Sequence, residues 1–289
     1  MAEPICVLEG RDRLGEGPCW DPSAGRLYWL DIKGRRLRWH SPGDGSFGLW
    51  DLPFRASAGA WRAAGGLLLA TDAGLAVADP DTREVEIRQP QAWPPGFRSN
   101  DGSMDVSGAF WWSIMDDNGG KRPGVVFRTT ADWRTVSMIE GVHIANALCA
   151  SPDGRTLYQA DSAAKTIFAF DHDPVAGTLS RRREFADTRG EAGAPDGAAV
   201  DAEGFVWAAQ WGAWRVARYA PDGRLDRVVQ VPVAQPSSCT FGGPDLATLY
   251  ITSAWDGLSP AAREAQPLAG GLFAFSPGVR GLELPPFGG

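Results

Sequence analysis

Along the chain, short apolar runs alternate with clusters of Asp, Gly, Pro and Ser, and the alternation is periodic. One phrase recurs: an apolar stretch, a turn built on Asp, Pro or Gly, then a hydrophobic or aromatic run. It reads Pro18 to Gly25 followed by Leu27-Tyr28-Trp29-Leu30. It returns with Leu67-Leu68-Leu69, Phe110-Trp111-Trp112, Leu157-Tyr158, Phe205-Val206-Trp207 and Leu249-Tyr250-Ile251. A second run follows each, as in Leu37-Arg38-Trp39, Leu75-Ala76-Val77, Val125-Val126-Phe127 and Leu272-Phe273-Ala274-Phe275. Apolar and aromatic runs bounded by Gly, Pro and Asp read as strands, and no stretch keeps a helical period over three turns. The unit is a four-stranded antiparallel meander.

Counting to the residue five before each turn gives Glu16, Ser57, Asn100, Asn146, Asp196 and Ser238, spaced by 41, 43, 46, 50 and 42 residues. Periods of this size with four strands each predict an all-β, six-bladed β-propeller occupying residues 1–289 as a single domain. Too little chain follows Ser238 for four strands. Blade six therefore needs an outer strand from elsewhere, and Ile5-Cys6-Val7-Leu8 supplies one that closes the ring and leaves no open sheet edge.

Charge and cysteine usage narrow the function classes. With 28 Lys and Arg against 35 Asp and Glu, a net charge of −7 argues against a surface that tracks nucleic-acid phosphates. The apolar run at Leu67-Leu68-Leu69 is far short of the roughly 20 residues a membrane helix needs. Pro4 to Leu8 soon meets Arg11, Asp12 and Arg13, so no secretory segment is expected. Cys6, Cys19, Cys149 and Cys239 form no CxxC pair and read as free thiols in a reducing, cytoplasmic setting. The expected partner is a small molecule bound by a monomer, with neither nucleic acid nor membrane involved.

Equivalent positions in a ring point toward one place, so the six registered residues converge near one mouth of the channel. Two carboxylates, two amides and two hydroxyls offer oxygen acceptors and no positive charge. A lone Asn or Ser there would merely hold water. Glu16, Asn146 and Asp196 together suit a hard divalent cation, since isolated buried carboxylates are costly. Pro195-Asp196-Gly197 looks like an ordinary turn, but its register moves Asp196 into the channel. Oxygen donors permit Ca²⁺, Mg²⁺, Mn²⁺, Fe(II) or Zn²⁺. No nucleophile elbow, H-E-x-x-H, phosphate loop or EF-hand spacing occurs. His40 and His172 read as surface residues of an outer strand and an outer turn, whereas His143 and Arg98 lie near the mouth.

Several ordered motifs resemble the senescence-marker-protein/gluconolactonase/regucalcin-like family almost end to end. They are Leu14-Gly15-Glu16-Gly17-Pro18, Arg98-Ser99-Asn100-Asp101-Gly102, Asn146 followed by Ser151-Pro152-Asp153-Gly154, Pro195-Asp196-Gly197, and Leu268-Ala269-Gly270-Gly271-Leu272-Phe273. The resemblance implies a sugar lactonase with one divalent metal ion on Glu16, Asn146 and Asp196, substrate contacts from Arg98 and Asn100, and Asp196 as general base. Two departures stand out. Ala147 replaces a common Gly, which predicts a local backbone shift. Asp116, Asp117 and Asn118 fill a stretch where many members carry an acidic substrate contact, making Asp117 and Asn118, with His143, candidate substrate residues. The expected activity is opening of an aldonolactone to the aldonic acid. A non-catalytic metal-binding scaffold and a promiscuous arylesterase are the alternatives.

Overall fold

The computed structural model of the protein describes residues 3–289. It contains six four-stranded antiparallel sheets, each a blade of a propeller. The inner strands are Gly15–Asp21, Ala56–Trp61, Phe97–Met104, Ala145–Ala150, Ala194–Val200 and Pro236–Gly242. Blades one to five run outward in chain order from these strands. In blade six the outermost strand is Ile5–Leu8, paired to Leu272–Phe275 through Ile5 with Ala274 and Cys6 with Phe273. The ring is thus closed by the first strand of the chain, as the sequence requires.

Local chemistry explains why the blades repeat. In blade three, Asp105 follows the inner strand and its Oδ1 accepts from the backbone N–H of Ser107 and Ala109, which fixes the turn. Its Oδ2 accepts from Trp111 Nε1 at 2.8 Å, tying that turn to the next strand. Asp201 and Trp207 repeat the device in blade five, again at 2.8 Å. Trp29, Trp111, Trp112 and Trp207 are fully buried between neighbouring sheets and form much of the apolar filling. All four cysteines are free thiols.

Three features depart from the sequence reading or go beyond it. His172 is buried, not superficial. The third strand of blade four runs Thr166–Asp173, so period-two alternation sets His172 on the same face as Phe170. There it bonds Gly154 O through Nδ1 at 2.7 Å and meets the Trp111 ring edge-on. A short helix, Pro260–Glu264, capped by Ser259, interrupts blade six. Among the described residues no helix is long and apolar enough to cross a membrane.

The third feature is the last segment of the chain, which crosses one end of the channel. Gly281 bridges to Asp201 of blade five, and Phe287 bridges to Arg62 of blade two, donating its N–H to Trp61 O. Leu282 packs against the apolar cluster of blades four and five, and Leu284 and Phe287 against that of blades two and three. Trp61, Asp201 and their neighbours stand where inner strands end. The tail therefore closes the mouth away from Glu16, Asn146 and Asp196.

Every inner strand is interrupted where the registered polar residues sit. Pairing skips residues 17–18, 100–101, 147–148 and 196–197 in blades one, three, four and five. It skips only 57 and 237 in blades two and six. Bulges of this kind re-aim side chains and recur beside functional sites.

Candidate functional site

All six registered residues are buried. Only four open into a common space: Glu16, Asn100, Asn146 and Asp196 line a cleft of about 320 Å³, together with Arg98 and Asp117. These four come from the blades whose interruptions span two residues. Where the interruption is a single residue, pairing resumes at once and the serine turns elsewhere. Ser57 is enclosed, with its Oγ lacking a partner. Ser238 packs against Gly197, where a Cβ would overlap Ser238 Oγ.

The backbone beside two of these residues is left-handed. Gly17, after Glu16, has φ 54°, and Ala147, after Asn146, has φ 52°. A Cβ at position 17 would overlap Ser57 O, which demands glycine in blade one. Ala147 holds the same conformation with its methyl buried. Alanine here thus takes the left-handed conformation that glycine takes after Glu16 in blade one.

A directed hydrogen-bond chain fixes the amides. Arg98 Nη1 donates to Asn100 Oδ1 at 2.7 Å. Asn100 Nδ2 donates to Ala145 O at 2.9 Å and to Asn146 Oδ1 at 2.8 Å. Asn146 Nδ2 donates to Ser162 Oγ at 2.8 Å, and Ser162 Oγ donates to Pro195 O at 2.6 Å. Both ends are unambiguous, since a guanidinium only donates and a carbonyl only accepts. The order of donors sets each amide's orientation, so Asn146 Oδ1 faces Asn100, and both residues line the cleft.

The two carboxylates on the cleft floor are short of positive charge. Burial pushes Glu16 well above the usual carboxylate range, and the nearby charges of Asp196 and Asp101 add to it. Asp196 is raised in the same way by burial and by Asp101, against the opposing pull of Arg98. Asp101, buried beneath them, is pushed up to about 6 although Leu148 and Gly102 give it backbone N–H bonds. Glu16 receives the N–H of Gly17 at 3.2 Å. Buried carboxylates with so few donors are costly unless a cation joins them. Among the described residues no three His, Cys, Asp or Glu side chains gather at metal-binding spacing. The donor set that fits a hard cation is instead two carboxylates and the Asn146 amide oxygen.

The cleft wall in blade three is ionic. Asp117 accepts from Arg98 Nε and Arg55 Nη1, each at 2.7 Å. Burial works against its ionisation, but these two partners outweigh it and hold it below the ordinary range. Asn118 turns to Asp116 Oδ1 at 3.1 Å, and His143 Nδ1 lies 2.6 Å from Gly120 O. Neither lines the cleft; both brace the loop that follows Asp117.

Ser162, Lys33 and Asp256 also line the cleft, and none was reached from the inner-strand register. They sit in or next to connections between second and third strands. Asp117 and Ser162 each follow the end of a second strand, after Asp116 paired with Phe97 and Asp161 paired with Ala145. They stand 17 and 16 residues after Asn100 and Asn146, so counting does not bring them into one register.

Over residues 14–255 the chain matches the family model described as SMP-30/Gluconolactonase/LRE-like region. It is 38% identical to L-arabinolactonase of Azospirillum brasilense, covering 98% of this chain and 95% of that protein. It is 36% identical to 6-deoxy-6-sulfogluconolactonase of Pseudomonas putida, covering 98% of each. The crystal structure of the calcium-binding protein regucalcin from Agrobacterium tumefaciens superposes with a TM-score of 0.94 at 32% identity, over 99% of this chain and 97% of that one.

Proposed function

The chain belongs to the SMP-30/gluconolactonase/LRE-like family, and on that premise we propose that it hydrolyses sugar lactones to aldonic acids with one divalent cation held by Glu16, Asn146 and Asp196. The observation that carries this reading is the pair of buried, donor-poor carboxylates Glu16 and Asp196 beside the oriented Asn146 Oδ1. Relatives named for arabinolactone and sulfogluconolactone hydrolysis support the substrate class, and a calcium-binding structural relative supports a cation. When bound, such a cation polarises the ester carbonyl and acidifies water. Ca²⁺, Mg²⁺, Mn²⁺, Fe(II) and Zn²⁺ all accept oxygen donors.

The chain's own residues then divide the work. Asp196 carries two oxygens, so it can hold the cation with one and accept a proton from the attacking water with the other. As the ring ester bond breaks, that proton passes to the departing ring oxygen, which leaves as a hydroxyl. Arg98 spends Nε on Asp117 and Nη1 on Asn100 and Ser99 O, which leaves Nη2 for a substrate oxygen. Asn100 fixes Asn146 from one side and offers its face to the substrate. Asp117 stands ionised beside Arg98 as an acceptor for a sugar hydroxyl.

The test is a panel of gluconolactone, arabinonolactone and xylonolactone against chelator-stripped protein, reloaded with each cation in turn, with acid release followed by pH-stat. Acceleration that appears only with cation supports the reading. Opening at the spontaneous rate under every cation overturns it, and faster turnover of aryl acetates than of sugar lactones makes the protein an esterase instead.

A further inference from the structure

The cleft has a second ionic pole, two to three blades round the ring from Arg98 and Asp117. It consists of Lys33, in the turn after the second strand of blade one, and Asp256, after the second strand of blade six. Asp256 Oδ2 accepts from Lys33 Nζ at 2.7 Å and Oδ1 accepts from Arg13 Nε at 2.8 Å. Its backbone is held from both sides: its N–H donates to Arg13 O at 2.9 Å, and its carbonyl accepts from Gln235 Nε2 at 2.9 Å. The carboxylate is therefore fixed in place before any ligand arrives.

The two poles have the same construction. Asp117 takes Arg98 and Arg55, and Asp256 takes Lys33 and Arg13. In each pair one cation lines the cleft and the other stands outside that lining. Burial opposes ionisation of Asp256, yet its hydrogen bonds to Lys33 and Arg13 outweigh it and hold it below the usual range. An ionised carboxylate accepts and an ammonium donates, so each pole offers both halves of what a hydroxyl group needs. Leu14 and Trp211 add apolar lining, packed with Ile32 and Ala254 beside the second pole. A flat ring with hydroxyls at separate edges matches this pattern; an unsubstituted ring leaves the second pole unused.

We propose that Lys33 and Asp256 form a second hydroxyl-binding pole that selects polyhydroxylated lactones. The proposal rests on the lactonase reading and deepens it by naming specificity residues. Lys33 keeps two N–H groups after bonding Asp256, and these meet a substrate oxygen remote from the reacting carbonyl. A site built to bond a hydroxyl discriminates against the analogue that lacks it, because the two half-buried N–H groups of Lys33 then gain no substrate partner.

The experiment compares kcat/KM for gluconolactone and for δ-valerolactone, using cation-loaded wild type, Lys33→Met, Asp256→Asn and Arg13→Gln. Thermal melts of each variant check that folding is retained. Lys33→Met and Asp256→Asn are expected to reduce the preference for gluconolactone by about tenfold or more, mainly through KM, as for loss of a charged hydrogen bond. An equal loss on both lactones overturns the proposal and leaves the pair as a clasp between blades one and six. So does a shift of the same size from Arg13→Gln, which touches Asp256 outside the cleft. A wild type that opens neither lactone overturns the lactonase reading itself.

Discussion

Asn100 Nδ2 donates to Asn146 Oδ1 at 2.8 Å, across the boundary between blades three and four. The contact joins two bulges, and its direction is set by partners further along the chain of bonds. Ser162 gives its proton to Pro195 O, so it can only accept from Asn146 Nδ2. The Asn146 oxygen is thereby turned to Asn100, its neighbour in the cleft lining. Ser162 also reaches the residue beside Asp196, so one hydroxyl steadies two of the proposed ligands.

Ser162→Ala is expected to weaken divalent-cation affinity about tenfold, in line with the 10–100-fold cost of losing groups that orient a ligand. Ser162→Thr retains the hydroxyl and should restore most of it. Calorimetric titration of stripped protein reads the affinity directly. Unchanged affinity in the alanine variant would show that Asn146 needs no such orientation.

A pH dependence follows from the buried carboxylates. In the metal-free protein Asp101 sits at about 6, while an unfolded aspartate ionises near ~4. Between those values the folded chain holds a proton that the unfolded chain has released, so stability falls as pH rises through the window. Glu16 and Asp196, raised by burial, act in the same direction. A cation binding the folded state offsets the loss, by about 2.7 kcal/mol at a hundredfold excess over Kd. Melting with chelator and with cation at pH 4.5 and pH 7.5 should show the larger cation-induced rise at pH 7.5. Equal rises would mean the cation binds elsewhere.

The tail across the far mouth gives a prediction about stability alone. Phe287 is fully buried and meets Trp133 edge-on at 5.2 Å between ring centres. Phe287→Ala is expected to cost about 3–5 kcal/mol, the range for removing a buried phenylalanine. Lactone turnover by the folded fraction should not change, because the cleft lies at the other end of the channel. Urea denaturation beside kinetics separates the two. A loss of turnover without loss of stability would contradict this division of the two mouths.

Much of the ring is legible in the sequence because each blade repeats one turn chemistry and one hydrophobic phrase. Glu16, Asn100, Asn146 and Asp196 share a register that needs only counting. Ser57 and Ser238 share it too, yet they miss the cleft, since a one-residue interruption re-aims a side chain differently from a two-residue one. That difference is conformational and leaves no mark in composition. Lys33, Ser162 and Asp256 lie in or beside connecting loops whose sequences do not repeat, so only the packed structure brings them to the cleft. His172 reads as superficial because its strand runs three residues past Phe170, the end of the apolar run that announces it.

The most direct test of the account is metal content measured beside lactone turnover in Glu16→Gln, Asn146→Ala, Asp196→Asn, Ser57→Ala and Ser238→Ala. Glu16→Gln and Asn146→Ala are expected to lose cation and turnover together. Asp196→Asn should lose at least about 10²-fold in turnover, the cost of removing a general base, even where cation added in excess is retained. The two serine variants should keep both. Near-normal turnover in Asp196→Asn, with loss of cation in Ser238→Ala, would contradict the account at its centre.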